Sequence, residues 1–372
     1  MTTAVVAGAI ILLLGVLVGR GAAGEVTRLQ GDSRYATSVA VSEANWNRSD
    51  TVVLATASDY PDALAAAALA AARDAPLLLT DATSLPEVVA EEIDRLRADT
   101  AIIMGGTAAV SAQVASAVLN LEREPEVRRI DGAGRVETAA LAAAQVEAPT
   151  GEAVVASAED FPDALAASSL AAVPSQLPVL LSSAEEVPQT TLDTLEELRV
   201  TRVSIVGGPG VLAPTVEAQL VDAGYDVTRL DGDTRFTTSV AVAEDAFRRL
   251  SAGRRPLIVA TGEDFVDALS AGALTARLEA PFILVPTAEL TDPVADFLSE
   301  HAGRIDEVLV VGGTAAVDDA VIDQITEALT GEAPEEPGDD PSPQPDDALE
   351  PDDDALPDED EEPEIDPDAT AN

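Results

Sequence analysis

Pairs of aspartates recur three times along the chain, each at the start of an apolar segment. The segments are DYPDALAAAALAA (59–71), DFPDALAASSLAA (160–172) and DFVDALSAGALTA (264–276). Two carboxylates beside an aromatic residue could bind a metal ion or act as general acid and base. They also suit a helix start, where carboxylates accept backbone N–H bonds and face the positive end of the helix dipole. The pairs are Asp59 and Asp62, Asp160 and Asp163, and Asp264 and Asp267.

One arginine follows a glycine turn at the predicted start of a helix in each copy: Arg34, Arg135 and Arg235. A cation in that place opposes the helix dipole, so its repetition needs a reason. One interpretation is a salt bridge to a nearby carboxylate such as Asp32 or Asp233. The other is an anion contact made by the guanidinium group.

Glycine pairs follow a predicted strand and precede a helix in each copy. They are Gly105 and Gly106, Gly207 and Gly208, and Gly312 and Gly313. Such a turn can hold a phosphate with backbone N–H groups, but a tight strand-to-helix turn needs glycine in any case. No copy contains a complete Gly-x-Gly-x-x-Gly motif or a Walker lysine, so nucleotide binding is disfavoured and we expect no cofactor.

The order of these phrases predicts a domain that occurs three times, over residues 25–123, 124–225 and 226–330. Short apolar runs alternate with helical patterns, which indicates α/β units with mostly parallel sheets. In the first copy we predict strands over 26–29, 52–55, 77–79 and 101–104, and helices over 34–45, 62–73, 86–97 and 111–121. We expect each sheet to consist of strands from one copy. The three units then form either a rod or a ring with pseudo-threefold symmetry.

Composition excludes several kinds of function. The net charge is −47 and all 21 basic residues are arginine, so the surface repels nucleic acid. The chain has no cysteine, and its one histidine, His301, is expected to be a solvated residue near a helix end. A Ser–His–Asp triad and a cysteine metal site are therefore not expected. No metal is expected either.

The two ends of the chain differ from the repeats. Residues 1–24 contain an uncharged apolar run, which predicts a secretory signal peptide or an N-terminal anchor and so a secreted or cell-surface protein. A membrane contact is expected only through this segment, if it is not cleaved. Residues 331–372 carry 19 Asp and Glu and no basic residue, which predicts a disordered acidic tail.

The recurring phrases together resemble the cell-wall-binding repeat type 2 family. They are the G-D-x-R turn, the D-[YF]-P-D-A-L-A helix start, a proline-led apolar strand, and a [VM]-G-G turn, in the same order in all three copies. The second copy has Ala133 in place of the turn aspartate, and the third has Val266 in place of the helix-start proline. The resemblance covers residues 25 to about 330. It implies three tandem Rossmann-like or Toprim-like units around a pseudo-threefold axis.

The resemblance also implies non-covalent binding to an anionic wall polysaccharide or a teichoic-acid-like polymer. The candidate contacts are Arg34, Arg135 and Arg235 and the strand motif of the family. That motif maps to Leu77, Leu78 and Leu79, to Val179, Leu180 and Leu181, and, less well, to Phe282, Ile283 and Leu284. The residues alone indicate that a proline-led apolar tetrapeptide is a buried strand.

We therefore expect a wall-binding protein without catalytic activity. Two alternatives remain at this point: a Toprim-like, metal-dependent phosphoryl-transfer or hydrolytic enzyme that uses the aspartate pairs, and a purely structural subunit of a surface layer. A metal site needs about three converging carboxylates, whereas each phrase supplies two near each other.

Overall fold

The computed structural model describes residues 25–58, 61–146, 150–171, 177–264 and 266–331. These residues form twelve strands and twelve α-helices. The strands are β1 (Glu25–Leu29), β2 (Thr51–Thr56), β3 (Leu77–Thr80), β4 (Thr100–Met104), β5 (Glu126–Ile130), β6 (Glu152–Ser157), β7 (Val179–Ser182), β8 (Arg202–Val206), β9 (Asp226–Leu230), β10 (Arg255–Thr261), β11 (Phe282–Val285) and β12 (Ile305–Val311). The helices are α1 (Arg34–Asn45), α2 (Pro61–Ala72), α3 (Glu87–Leu96), α4 (Ala112–Leu119), α5 (Arg135–Ala143), α6 (Phe161–Ala171), α7 (Gln189–Glu197), α8 (Pro214–Asp222), α9 (Arg235–Arg249), α10 (Val266–Leu278), α11 (Asp292–His301) and α12 (Asp319–Thr330).

The predicted α/β class is confirmed. Every strand pair is parallel, and each repeat contributes four strands and four helices in the predicted alternation. The predicted strands and helices of the first repeat all form, with ends within two residues of prediction. Helix α1 begins at Arg34 because Ser33 caps it, accepting the N–H of Ala36.

The sheets are not confined to single repeats, and the prediction on that point is wrong. Sheet A has the order β1-β12-β10-β11, sheet B β3-β2-β4-β5 and sheet C β7-β6-β8-β9. The first strand of each repeat therefore joins the sheet of the preceding repeat. Strand β1 joins β12, which closes the three sheets into a ring, with Val26 opposite Val308.

Helices α2, α6 and α10, which begin at the three aspartate pairs and are called here the DxxD helices, contact one another where the three units meet. Their apolar segments are rich in alanine, so the helix backbones can approach closely. In α10 nine of the ten residues from Val266 to Thr275 are buried, and the tenth, Asp267, is half-buried, which leaves no solvent-facing stripe. A helix that is apolar on all sides belongs in a core. The repeated phrase of the sequence thus forms the centre of the ring.

The proline-led strands β3, β7 and β11 are buried. Their apolar side chains are at most 4% exposed: Leu77, Leu78, Leu79, Val179, Leu180, Leu181, Phe282, Ile283 and Leu284. This burial matches the core-strand interpretation and corrects the expectation that these residues contact a polymer. They have no surface to offer a ligand, and we withdraw them from the candidate contacts.

Two predictions on the ends of the chain, the apolar leader over 1–24 and the acidic tail, lie outside the described residues except for Gly331. Within the described ranges, no helix combines the length and the hydropathy needed to cross a membrane.

Candidate functional site: three inter-repeat grooves

Three grooves lie at the carboxyl ends of the strands, one at each sheet. Groove A, at sheet A, has a volume of about 440 Å³, groove B about 410 Å³ and groove C about 430 Å³. Each is lined by the glycine turn and Arg of one repeat and by the strand ends of the preceding repeat. Groove A contains Arg34, groove B Arg135 and groove C Arg235. We call them the inter-repeat grooves.

The G-D-x-R turn lies where the chain passes from one sheet to the next. Its glycine is required sterically, because a Cβ on Gly31 would lie 2.4 Å from the Cβ of Ala36. The N–H of Gly31 donates to the Thr37 hydroxyl over 3.3 Å, and the equivalent bonds join Gly132 to Thr138 and Gly232 to Thr238. The same turn geometry therefore starts α1, α5 and α9.

The three predicted arginines connect adjacent sheets. The Nη1 atom of Arg34 donates to the carbonyl of Ala57 over 2.9 Å, at the end of β2 in sheet B, while Arg34 itself lines groove A. The equivalent distances are 2.6 Å from Arg135 to Ala158 and 2.6 Å from Arg235 to Gly262. Among the described ion pairs none joins Arg34 to Asp32, and the carboxylate that Arg34 acts on by its charge is Asp267. Arg34 and Arg135 remain exposed, and Arg235 is half-buried.

In the second and third repeats each aspartate pair has one exposed carboxylate and one that is less accessible. Asp160 and Asp264 are exposed, whereas Asp163 is buried and Asp267 is half-buried. Asp59 lies outside the described residues, as does the side chain of Asp62. Burial raises the pKa of Asp163 to about 6, and the negative charge of Asp160 adds to the rise. Burial followed by the charge of Asp264 raises the pKa of Asp267 in the same way.

A partner from the next repeat partly offsets each of these rises. The hydroxyl of Thr238 hydrogen-bonds Asp163, and Arg235 acts in the same direction by its charge. For Asp267 the corresponding residues are Thr37 and Arg34. The carboxyls of Asp163 and Asp267 thus each lie at a contact between two repeats.

The glycine pairs form turns that pack on Asp163 and Asp267. A Cβ on Gly207 would lie 2.9 Å from Oδ2 of Asp163, and Gly207 has φ +122°. Gly312 repeats this arrangement, with 2.8 Å to Asp267 and φ +118°. Both the close approach and the positive φ require glycine, which gives the first glycine of the pair a structural explanation.

A second set of equivalent arginines was not recognised in the sequence. Nη1 of Arg28 donates to the carbonyl of Gly312 over 3.0 Å, and the equivalent distance is 2.6 Å both from Arg129 to Gly105 and from Arg229 to Gly207. These arginines hold the glycine turns from the neighbouring strand. The signal was present, since each opens the repeated phrase R-[LI]-x-G.

His301 is not the solvated residue that was expected. It ends α11, but its ring stacks on Phe247 at 4.6 Å between centroids, and Nε2 lies 2.8 Å from Oε1 of Glu244. In the part of the chain that the structure describes, no group of three or more His, Cys, Asp or Glu side chains could hold a metal ion.

The family assignment rests on the same three repeats. Residues 28–115, 129–217 and 229–322 match "Cell wall binding domain 2", and each range contains one G-x-x-R turn, one aspartate pair and one Gly-Gly turn. The chain belongs to the cell wall binding domain 2 family. Membership assigns it to the cell wall or cell surface.

Two curated relatives from Bacillus subtilis (strain 168) are similar to this cell wall binding domain 2 protein. The N-acetylmuramoyl-L-alanine amidase LytC is 27% identical over 307 residues, which are 82% of this chain and 59% of the relative. The protein named "Amidase enhancer" is 26% identical over 69% of this chain and 34% of its own length. The chain thus spans only part of both relatives. Because the repeats make up most of this chain, the similarity to LytC lies mainly on them.

Two solved structures share the fold. Cwp6 from Clostridium difficile has a TM-score of 0.75 and 27% identity, over 82% of this chain and 48% of Cwp6. Cwp8 from the same organism has a TM-score of 0.74 and 28% identity, over 82% of this chain and 52% of Cwp8.

Proposed function

We propose that this cell wall binding domain 2 protein attaches non-covalently to an anionic polymer of the wall through its three inter-repeat grooves and catalyses no reaction. The observation that carries the proposal is the threefold repetition of one groove, at the same end of each sheet, with one anchored arginine in each. A repetitive polymer can occupy several such grooves at once. Three weak contacts then act at a high effective concentration.

Within a groove the guanidinium groups are positioned before a ligand arrives. One N–H of each arginine is fixed by a backbone carbonyl. A guanidinium has five N–H donors in a planar fork, which suits the hydroxyl and anionic groups of a glycan. The exposed carboxylates Asp160 and Asp264 can accept bonds from sugar hydroxyls.

The charges in the grooves limit the attraction for an anion. Groove C contains Arg235 but also Asp160, Asp163, Asp231 and Asp233, and groove A contains Glu263 with Asp264 and Asp267. Coulomb attraction is therefore weak, and hydrogen bonds must supply most of the binding free energy. We expect wall binding to depend only weakly on salt concentration, because salt screens Coulomb attraction, which contributes little here, and leaves the hydrogen bonds largely unaffected.

The enzyme alternative has less support. A buried carboxyl with a raised pKa in a groove is also typical of a catalytic acid. Here the raised pKa of Asp163 and of Asp267 follows from packing at two equivalent repeat contacts, where a hydroxyl and a turn glycine already hold the carboxylate.

The test is co-sedimentation with purified bacterial walls, before and after the secondary wall polymers are extracted. Single Arg→Gln variants at Arg34, Arg135 and Arg235 should weaken binding modestly, and the triple variant should abolish it. The matched control is the triple Gln variant of Arg48, Arg123 and Arg128, which are exposed arginines with the same total charge. Circular dichroism establishes that the variants fold. A folded triple groove variant that still binds walls as the wild type does would refute the arginine contacts, and equal binding to extracted walls would refute the polymer.

A further inference from the structure

A fourth groove, at the opposite ends of the strands, lies in the third repeat and contains three arginines. It has a volume of about 470 Å³ and is lined by Arg248, Arg254 and Arg304 together with Phe247, Leu250, Ala252, Gly253 and Gly303. Arg254 directly precedes β10 and Arg304 directly precedes β12, so the groove lies at the amino ends of these strands. We call it the arginine groove.

The guanidinium groups of this groove are held by the protein backbone. Nη2 of Arg254 donates to the carbonyl of Ile305 over 2.6 Å. Nη2 of Arg304 donates to the carbonyl of Phe247 over 3.0 Å, and its guanidinium lies over the Phe247 ring at 4.4 Å from the centroid. Each group keeps further N–H donors, and the contacts that fix it lower the entropy cost of binding a ligand.

No carboxylate in the described part of the chain forms an ion pair with Arg254 or Arg304 in the arginine groove. Among the described residues, no carboxylate oxygen lies within 4.0 Å of the guanidinium nitrogens of Arg254 or Arg304, and no acidic residue lines the groove. Arg248 is bonded to Asp245 at 3.0 Å but is 63% exposed. The neighbouring Arg249 and Arg255 differ, because they form ion pairs with Asp245 and Glu279 respectively.

A groove with three arginines and no acidic residue in its lining is unusual in a chain with a net charge of −47. Two guanidinium groups without ion-pair partners form charge-assisted bonds with phosphate or carboxylate, which are stronger than neutral hydrogen bonds. The walls at Gly253 and Gly303 are open, since a Cβ at either position would meet no atom within 4 Å. An open groove of this kind suits an anionic group on an extended ligand rather than an enclosed small molecule.

We infer that the arginine groove is a binding site for a phosphate or carboxylate group carried by an extended anionic glycan, separate from the inter-repeat grooves. The inference does not depend on the proposed function, because it rests on other residues at the other end of the sheets. It places the anion where carboxylates are absent from the lining, unlike grooves A and C.

The first experiment titrates the ¹⁵N-labelled full chain with inorganic pyrophosphate and follows the side-chain Nε–H signals. We expect saturable shifts at Arg254 and Arg304, and only small, non-saturating shifts at Arg48, an exposed arginine outside the groove. Equal responses at all three would show unspecific ion association and overturn the inference. Absence of any response at Arg254 and Arg304 would overturn it too.

Variants then test the affinity. Arg254→Gln with Arg304→Gln should lower the pyrophosphate association constant by about tenfold or more, since hydrogen bonds to charged groups are stronger than neutral ones. The double variant Arg48→Gln with Arg128→Gln carries the same charge change. It should alter the association constant less than about twofold, because salt screens the interaction between these exposed arginines and a pyrophosphate bound in the arginine groove. A comparable loss of pyrophosphate affinity in both double variants would refute the site.

A further variant covers the case in which loss of Arg304 disturbs packing on Phe247. Ala252→Glu leaves every arginine in place and introduces a carboxylate at an exposed position of the groove wall. It should weaken pyrophosphate binding as strongly as the double Gln variant, and unchanged binding would contradict the inference. Binding of immobilised poly(glycerol phosphate) against polygalacturonate then distinguishes a phosphate ligand from a carboxylate ligand.

Discussion

The hydroxyl of Thr238, in the third repeat, hydrogen-bonds the buried carboxyl of Asp163, in the second repeat. The Thr238 hydroxyl also accepts the N–H of Gly232, so it links the G-D-x-R turn of the third repeat to the DxxD helix of the second. Thr37 and Asp267 repeat the relationship across the contact that closes the ring. The repeats are therefore joined by buried polar contacts as well as by exchanged strands.

Asp163→Asn should stabilise the protein more at pH 7 than at pH 4. The pKa of Asp163 rises from 3.8 to about 6 on folding, so the folded state binds the proton more tightly than the unfolded chain. The stability contributed by the protonated carboxyl is full below pH 3.8 and is lost as the pH rises through 6. A shift of this size corresponds to roughly 3 kcal/mol. Urea unfolding of both proteins at the two pH values measures the difference.

The comparison of variants removes the effect of the many other carboxylates, which titrate in both proteins. Asp160→Asn is the matched control, because Asp160 is exposed and only perturbs Asp163 by its charge. It should give a smaller pH-dependent gain. A stability difference between Asp163→Asn and wild type that is the same at both pH values would contradict the raised pKa.

Gly207→Ala should destabilise the protein by about 2 kcal/mol or more, because the new Cβ meets the Asp163 carboxylate and the residue must keep a positive φ. Gly210→Ala is the control in the same turn, where a Cβ meets no atom within 4 Å. It should change the free energy of unfolding by less than about 0.5 kcal/mol. If both substitutions changed the free energy of unfolding equally, neither the contact with Asp163 nor the positive φ would require glycine at position 207.

The periodicity and repetition of the sequence were sufficient to predict the elements but not how the sheets assemble. Local patterns predict β1 and α1 correctly, because burial and caps act within a few residues. Whether β1 pairs with β4 or with β12 depends on contacts more than 200 positions apart, which no local pattern records. The short linker between α4 and β5 was the available clue, since it lets the first strand of one repeat lie beside the last strand of the repeat before it.

The site was predictable in part for the same reason. Arg34 was found because it repeats at an unfavourable place on a helix, and the structure brings it into a groove. Arg28 repeats equally, but an arginine in a strand breaks no local rule, so its role at the Gly312 turn emerges only from the fold. Arg254 and Arg304 are far apart in sequence and do not recur, so neither repetition nor spacing indicated the groove that they share.

Leu78→Ala should destabilise the protein by about 2–5 kcal/mol without changing the wall affinity of the molecules that remain folded. Leu78 is 0% exposed, and truncation of a core leucine leaves a cavity. Leu119→Ala, at a residue that is 49% exposed, should have little effect on stability. Urea unfolding and co-sedimentation below the unfolding transition measure the two quantities. Weaker wall binding by folded Leu78→Ala would return the proline-led strands to the binding site.

Closure of the ring by β1 can be tested with two engineered disulfides at equivalent positions. Val26 lies opposite Val308 in sheet A, and Val127 lies opposite Ala101 in sheet B. Adjacent strands bring such pairs within disulfide reach, and the chain has no other cysteine to interfere. The first pair closes a loop of nearly the whole folded chain, about ten times longer than the second.

In the chain-entropy description of disulfides the longer loop should give about 2 kcal/mol more stabilisation. The measurement is the free energy of unfolding of each double-cysteine variant, Val26→Cys with Val308→Cys and Ala101→Cys with Val127→Cys, oxidised against reduced. Reduction should cost the sheet A variant more, because its β1 then has no covalent tie to the sheet that it completes. If the sheet A pair did not oxidise while the sheet B pair did, β1 would not lie against β12 and the ring would be open.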